Sequence, residues 1–164
     1  MKKSRLVILG ILAVITMMLM VSALSGRQQE GKEKNAALAQ KLVGQCLSIH
    51  EGDIVLITGG AHDAVLLEDL AVQVRKVGAF PLITITSDRL SRLMYTDVPE
   101  KYDSQVPELG MKLMNFVTAI ISVDYGASET ALAGISPSRI AAQANTNVRV
   151  NDLAVKRGVR GLSL

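Results

Sequence analysis

The segment from residue 51 to residue 86 constrains the fold most, because it contains a complete strand, helix and strand pattern. The β-branched run 54–58 ends in a glycine pair and predicts a strand followed by a turn. Asp63 stands where a helix N-cap would stand, and apolar residues then recur at helical spacing: Leu67, Leu70, Ala71, Val74 and Val77. The run 82–86 is apolar enough to be covered on both faces. We therefore expect two parallel strands joined by a right-handed crossover, which is an α/β unit.

The rest of the chain extends this unit. Residues 35–50 predict a helix with one apolar face, formed by Leu38, Leu42, Cys46 and Ile49. Residues 88–115 are amphipathic but contain two prolines, which predicts two or three short helices. Residues 117–123 predict a third strand. Ser136-Pro137 is a helix start, and the final helix is expected to bury one apolar stripe: Ile140, Ala141, Ala144 and Val148.

Residues 158–164 look like a loop that turns into a fourth strand, so the chain ends on an apolar run. We therefore predict that residues 35–164 form one α/β domain with three layers. Its mostly parallel sheet would have three to four strands and flanking helices. The apolar end suggests that the domain is truncated.

The first 25 residues predict export. Three basic residues precede the segment 6–24, which carries no charge. The small residues Ala23 and Ser25 would suit cleavage before Gly26, and this interpretation is favoured. A retained membrane anchor stays open, because the segment has about the 20-residue length that a transmembrane helix needs. Residues 26–34 are polar and predict a flexible spacer, so the domain would lie in the periplasm or outside the cell.

Composition excludes some partners. Aromatic residues are scarce and Trp is absent, so stacking platforms for nucleic acid are poorly provided for, and no nucleic-acid partner is expected. Cys46 is the only cysteine, so no internal disulfide can form, and a buried apolar role suits it. Basic residues concentrate near the C-terminus: Arg139, Arg149, Lys156, Arg157 and Arg160. A solvated helix face is a better interpretation of them than a binding patch.

Several residues could carry chemistry, but each has a simpler structural role. Cys46 and His50 are four residues apart on the predicted first helix, without any accompanying metal motif. Gly59-Gly60 and His62 lie at the predicted carboxyl edge of the sheet, where an anion could bind. The remaining candidates at that edge are Ser87, Asp88, Ser122 and Asp124. Caps and turns explain them better, so we assign no catalytic, cofactor-binding or metal residue.

Three segments together carry a resemblance to a known family: residues 51–57 (EGDIVLI), 77–83 (VGAFPLI) and 131–139 (ALAGISPSR). They resemble the N-terminal domain of the thermophilic-type metalloaminopeptidases, the aminopeptidase T and S group, over roughly residues 36–160. The resemblance implies an α/β domain of a homodimeric enzyme that uses two divalent metal ions, of the zinc or cobalt type, to remove N-terminal residues from peptides. It also implies that the metal ligands belong to a C-terminal domain, so none maps onto this chain.

The leading hypothesis is therefore the N-terminal domain of an exported metalloaminopeptidase, inactive alone and acting on peptide substrates only within a longer enzyme. Two departures accompany the resemblance. The better-known members lack an export signal, and the polar segment after the third strand is Ser128-Glu129-Thr130, where the family usually includes an Asn. The alternative hypotheses are a stand-alone α/β module that binds a small anion and a dimerisation module that uses an uncovered apolar surface.

Overall fold

The computed structural model describes residues 34–123 and 130–164 as an α/β domain. The strands are β1 (Ile54–Gly60), β2 (Phe80–Thr86), β3 (Ala119–Ser122) and β4 (Arg160–Ser163). The helices are α1 (from residue 34, ending in the π-helical turn Leu42–Cys46), α2 (Ala64–Lys76), α3 (Asp88–Thr96), α4 (Glu108–Met114) and α5 (Pro137–Lys156). Short 3₁₀ turns, Ala61–Asp63 and Glu100–Tyr102, precede α2 and α4.

The four described strands form one parallel sheet in the order β2-β1-β3-β4. This confirms the predicted α/β class, the parallel opening unit and the fourth strand. The predicted interruption of residues 88–115 is also confirmed, since α3, a 3₁₀ turn and α4 occupy that stretch. Because the chain moves from β1 to β2 in one direction and then back past β1 to β3, right-handed crossovers place α2 and α3–α5 on opposite faces.

The first face of the sheet, covered by α1 and α2, contains the main apolar core. Leu67, Leu70 and Val74 of α2 are fully buried against the inward residues of β1 and β3. The core consists of these residues: Ala39, Leu42, Val43, Leu47, Ile49, Val55, Ile57, Leu67, Leu70, Val74, Ala79, Ala119, Ile121 and Val123. The helical spacing of α2 therefore predicted Leu67, Leu70 and Val74 correctly and Ala71 is partly buried, but Val77 follows the end of the helix and is 39% exposed.

The prediction for the first helix was wrong in part, first because Cys46 is exposed. The end of α1 is a π-helical turn, which holds more residues per turn than an α-helix and so shifts the side chains that follow. Val43 and Leu47 are buried in its place, while Leu38 is partly exposed. The helix ends at Cys46 rather than near His50.

The second face, on the side of α3–α5, is covered less completely. Neither α3 nor α5 has a fully buried residue, and α4 has only Met114. The predicted stripe of α5 was wrong for three of its four residues, because Ala141, Ala144 and Val148 are exposed and only Ile140 is partly buried. Five of the partly buried residues of α5 follow another helical row: Arg139, Gln143, Thr146, Val150 and Leu153.

Strand β2 is not covered on both faces, contrary to the sequence prediction. It is an edge strand whose only neighbour among the described strands is β1. Phe80 and Leu82 are 54% and 39% exposed on the second face, and Ile85 is 53% exposed on the first. An apolar run thus indicated a strand correctly without indicating whether helices reach its outer edge.

The predicted export segment 1–25 lies outside the described residues, as do residues 26–33 of the predicted spacer. Within residues 34–123 and 130–164, no helix has both the length and the apolar character needed to cross a membrane.

Candidate functional site

The carboxyl edge of the sheet is the expected position of a ligand site, because open parallel sheets bind ligands there. Strand register brings Gly60 level with Thr86, and Thr58 level with Ser122. Ser122 is in turn level with Ser163. Strand register therefore places the described strand ends at one edge of the sheet, and whether a site exists there depends on which of their polar groups are free of other contacts.

Gly59 lies at a point of close packing between β1 and α2. A Cβ built on it would lie 2.9 Å from Leu67 Cδ2 and 3.2 Å from Val123 Cβ, closer than side-chain carbons normally approach. The glycine therefore lets α2 pack closely on the end of β1. This gives the first glycine of the predicted anion-binding turn a structural function.

His62 and Asp63 form a local pair at the start of α2. His62 Nε2 lies 3.2 Å from Asp63 Oδ2, and the His62 side chain is 65% exposed. Asp63 is the N-cap residue by position but makes no capping hydrogen bond, because the preceding 3₁₀ turn alters the approach to the helix. A carboxylate at this helix N-terminus already supplies the negative charge that the helix dipole favours, which disfavours binding of an additional anion.

Ser87 has a structural role at the start of α3. Its side chain caps α3 by accepting a hydrogen bond of 3.2 Å from the Leu90 amide. Asp88 lies in the first turn of the same helix, where a carboxylate is favourable. Asp124, the other predicted carboxylate, lies outside the described residues.

Cys46 and His50 do not form the pair that their spacing suggested. The helix ends at Cys46, so His50 lies beyond it and the four-residue spacing no longer places the two side chains on one helical face. The backbone amide of His50 donates a 2.8 Å hydrogen bond to Asp53 Oδ2. The contact of His50 with Asp53 is therefore a structural one made by its backbone.

The described residues do not fit a metal centre. Within residues 34–123 and 130–164, no group of three or more His, Cys, Asp or Glu residues is positioned to hold an ion. Zinc sites in proteins use three or four such ligands. No step of a metal-dependent reaction can therefore be derived from this part of the chain.

The amino edge of the sheet carries a denser polar network, centred on Asp53. Asp53 Oδ1 accepts a 2.8 Å hydrogen bond from the Thr118 hydroxyl, and Asp53 Oδ2 accepts one of 2.7 Å from Arg160. Thr118 Oγ1 also accepts from the Ile54 amide, and Arg160 donates to the carbonyl of Leu47. The network joins the starts of β1, β3 and β4, so it aligns the strands.

Burial alone would raise the pKa of Asp53. Hydrogen bonds from the His50 amide, Arg160 and Thr118 outweigh that effect and hold the pKa below its ordinary value of 3.8. The carboxylate therefore stays ionised and is committed to the three groups that donate to it. It is a structural group and not a candidate acid or base.

A second buried network connects α5 with the segment after α3. Asp103 is 3% exposed, and its carboxylate accepts two hydrogen bonds from the Arg139 guanidinium and one of 3.1 Å from Gln143. Arg139 also donates to the carbonyl oxygens of Tyr95 and Val98. The hydrogen bonds from Arg139 lower the pKa of Asp103, and Asp103 raises that of Arg139.

The Asp103 network explains the rotation of α5. Arg139 and Gln143 are four residues apart and both bind Asp103, so this row of the helix must face inward. Apolar periodicity could not reveal this, because two of the anchoring side chains are polar. The signal that was available is the isolated Arg139 in the first turn of a helix with few large apolar residues.

The C-terminal basic residues are therefore not simply a solvated face. Arg139, Arg157 and Arg160 each bind protein acceptors, and Arg157 donates to the carbonyls of Met114 and Val117. Only Arg149 and Lys156 of the five are exposed without such a described hydrogen bond. The sequence interpretation as a solvated face was wrong for the three arginines that hold α5 and β4 in place.

Comparison with known proteins identifies the family. The model of the thermophilic metalloprotease family (M29) matches residues 31–161, which is most of the chain. The chain therefore belongs to the M29 family, as the three sequence segments indicated.

A solved structure agrees with this assignment at the level of the fold. The chain is similar to wild-type AmpT from Thermus thermophilus, with 21% sequence identity and a TM-score of 0.62. The alignment covers 76% of this chain and 32% of the AmpT chain, so this chain spans about a third of that protein. No curated protein sequence matches the chain.

Proposed function

We propose that this chain supplies the non-catalytic α/β domain of an exported, metal-dependent aminopeptidase that removes N-terminal residues from peptides. The observation that carries the proposal is the M29 family match over residues 31–161. The parallel sheet supplies a rigid wall for a substrate cavity. In the proposed enzyme, two divalent metal ions of the zinc or cobalt type are held by residues outside this domain, and the enzyme acts as a homodimer.

The geometry of the carboxyl edge supports a non-catalytic assignment. Gly59 is used for packing, Ser87 caps α3, and Asp63 lies beside His62. These existing contacts also weigh against the alternative hypothesis that this edge binds a small anion. No described group combines a nucleophile, a base and an orienting residue in the way that peptide hydrolysis without a metal requires.

The first test measures hydrolysis. The purified chain should release no fluorophore from a panel of aminoacyl-aminomethylcoumarins, with or without added Zn²⁺ or Co²⁺. A polypeptide that also contains the sequence encoded downstream of codon 164 should cleave them, lose activity with a chelator and regain it with metal. Its His62→Ala variant is the matched control and should keep that activity. Metal-dependent turnover by the 164-residue chain alone would refute the proposal.

The second test reads the DNA beyond codon 164. The proposal expects a coding stretch, intact or recently interrupted, that is rich in His, Glu and Asp. Absence of any such coding remnant would contradict it.

The third test concerns export. A reporter enzyme that folds only outside the cytoplasm, fused after residue 164, should be active, and replacement of Lys2, Lys3 and Arg5 by Glu should abolish its activity. An inactive fusion with the native N-terminus would contradict the proposed localisation without affecting the peptidase assignment. Mass spectrometry of the exported protein would show whether it begins at Gly26.

A further inference from the structure

The turn between β3 and α5 is fastened to α3 by one arginine. This turn comprises residues 130–135, and Arg92 is an exposed residue in the middle of α3. Arg92 Nη1 donates a hydrogen bond of 3.1 Å to the Ala131 carbonyl and one of 2.9 Å to the Ala133 carbonyl. A single nitrogen atom therefore joins the turn to a helix that precedes it by about 40 residues.

The turn's own hydrogen bonds complement those from Arg92. The Ala133 amide donates to the Thr130 carbonyl, and the Ile135 amide donates to the Leu132 carbonyl, both at 3.0 Å. The carbonyls of residues 130–133 therefore alternate between a donor within the turn and Arg92. Loss of the Arg92 contacts would leave the second and fourth of these carbonyls dependent on water.

The contact between Arg92 and the turn spans the carboxyl end of β1. Helix α3 follows the carboxyl end of β2, the turn follows β3, and the sheet places β1 between β2 and β3. The chain leaves β1 toward α2 on the first face and leaves β3 toward α5 on the second. In open parallel sheets, a crevice that can hold a ligand lies between two such strands. The turn therefore lies beside the crevice that this topology creates.

The attachment of the turn is weaker than that of the helix that follows it. None of residues 130–135 is fully buried, and neither is any residue of α3. Because Arg92 is exposed, water competes for both of its hydrogen bonds. By contrast, the side chain of Arg139 in the first turn of α5 is only 15% exposed and is paired with Asp103. Exposed hydrogen bonds and few buried apolar contacts are typical of segments that open locally.

We propose that residues 130–135 form a strap that opens and closes beside the carboxyl end of β1 while the rest of the domain stays folded, and that Arg92 is its latch. Gly134 has a φ of +80° and lies between the latch and the Arg139 anchor, where the strap bends. In the proposed peptidase, the strap controls access of a peptide to the crevice between β1 and β3. The opening itself is a property of this chain, so an inactive peptidase would leave the inference standing.

Amide hydrogen exchange in the full chain measures the opening directly. The Ala133 and Ile135 amides are hydrogen-bonded inside the strap, so they exchange when the strap opens. Their exchange rates should not change at low denaturant concentration, because a local opening exposes little surface. The amides of α2 should exchange far more slowly, at rates that rise with denaturant, because they require unfolding of the core. Quench-flow labelling read by NMR covers both time ranges.

Substitution of the latch tests its role. Arg92→Ala should raise the exchange rates of the Ala133 and Ile135 amides by about tenfold, since it removes two hydrogen bonds from a charged donor, and should leave α2 protected. Arg92→Lys should give a smaller increase, because the lysine side chain keeps the charge but is shorter. Arg89→Ala removes another exposed arginine from the same helix and is the matched control, which should change neither region.

A thiol at the end of β3 tests whether the opening exposes the crevice. Ser122 lies on the second face, since its neighbour Ile121 is buried in the core of the first. In a Cys46→Ser background, Arg92→Ala should speed the reaction of Ser122→Cys with a maleimide by about tenfold, in line with the increase in exchange. Ser163→Cys, level with it on β4, is the control and should react at an unchanged rate.

Three results would each overturn the proposal. The first is exchange of the strap amides only together with those of α2, and the second is an equal effect of Arg92→Ala and Arg89→Ala. The third is an unchanged reaction rate of the thiol at position 122. The wild-type exchange experiment needs no substitution, so it decides between local and global opening even if Arg92→Ala fails to fold.

Discussion

The two faces of the sheet are held by different kinds of interaction. On the first face, α2 buries Leu67, Leu70 and Val74 in a continuous apolar core. On the second, α5 is twenty residues long and has no fully buried residue. It is held by Arg139 at its start and by Arg157 at its end, both of which donate to backbone carbonyls of the preceding segments. Close packing of Gly110 against Val150 supplements these anchors.

This difference determines how each face should respond to change. Apolar burial depends on area and shape, so the first face should be sensitive to the loss of volume and indifferent to pH. Hydrogen bonds from a guanidinium depend on direction and charge, so the second face should be sensitive to Arg-to-Lys changes and to acid. The first face therefore supplies most of the stability, while the second fixes the rotation of its longest helix.

The largest effect is expected from truncation in the first face. Leu70 is fully buried, and Leu70→Ala should lower the free energy of unfolding by about 2–5 kcal/mol, since it removes apolar contacts and leaves a cavity. Val72→Ala on the same helix is the control, and because Val72 is 53% exposed it should change stability by less than about 0.5 kcal/mol. Denaturant unfolding measures both. Equal effects would mean that the α2 core is not the main source of stability.

A smaller loss is expected when volume is added to the same face. Gly59→Ala would place a methyl group against Leu67 and Val123, and it should cost about 1–3 kcal/mol. Gly44→Ala meets nothing within 4 Å and should be neutral or stabilising by up to about 1 kcal/mol. The same unfolding experiment distinguishes them. A neutral Gly59→Ala variant would show that α2 can move away from β1 without penalty.

The anchor of the second face is tested by a substitution that keeps its charge. Lysine at position 139 cannot donate to Tyr95, Val98 and Asp103 together, so Arg139→Lys should lower the melting temperature by less than Leu70→Ala does. It should also increase amide hydrogen exchange in α5 while α2 stays protected. Arg149→Lys, on the exposed side of α5, is the control. An unchanged exchange pattern in Arg139→Lys would contradict the anchoring role.

The contrast between the faces also explains what the sequence could predict. The strands, the parallel order of the opening unit and the buried face of α2 followed from apolar spacing, because that spacing is what buries them. The rotation of α5 did not follow, since Asp103 and Arg139 are 36 residues apart and their pairing is visible only in three dimensions. The exposed position of Cys46 required knowledge of a π-helical turn.

The sequence could predict where the candidate site lies, but not whether its groups are already used in packing and hydrogen bonds. Strand ends indicated correctly that Gly60, Thr86 and Ser122 would share one edge of the sheet. The sequence could not show that a Cβ at Gly59 would collide with Leu67, because this depends on how closely the helix approaches the strand. It likewise gave no sign that the denser polar network would lie at the opposite edge, around Asp53.

Lowering the pH is expected to have the smallest effect on stability, and this effect should be the most specific to the second face. Hydrogen bonding from Arg139 lowers the pKa of Asp103 from 3.8, so the stabilisation is complete above that value and is lost as the pH falls through the lowered folded-state pKa. Hydrogen exchange should therefore rise in α5 before it rises in α2. Asp103→Asn should remove most of this difference between the helices, whereas Asp152→Asn, exposed on α5, should preserve it. Simultaneous loss of protection in both helices would mean that the two faces unfold as one unit.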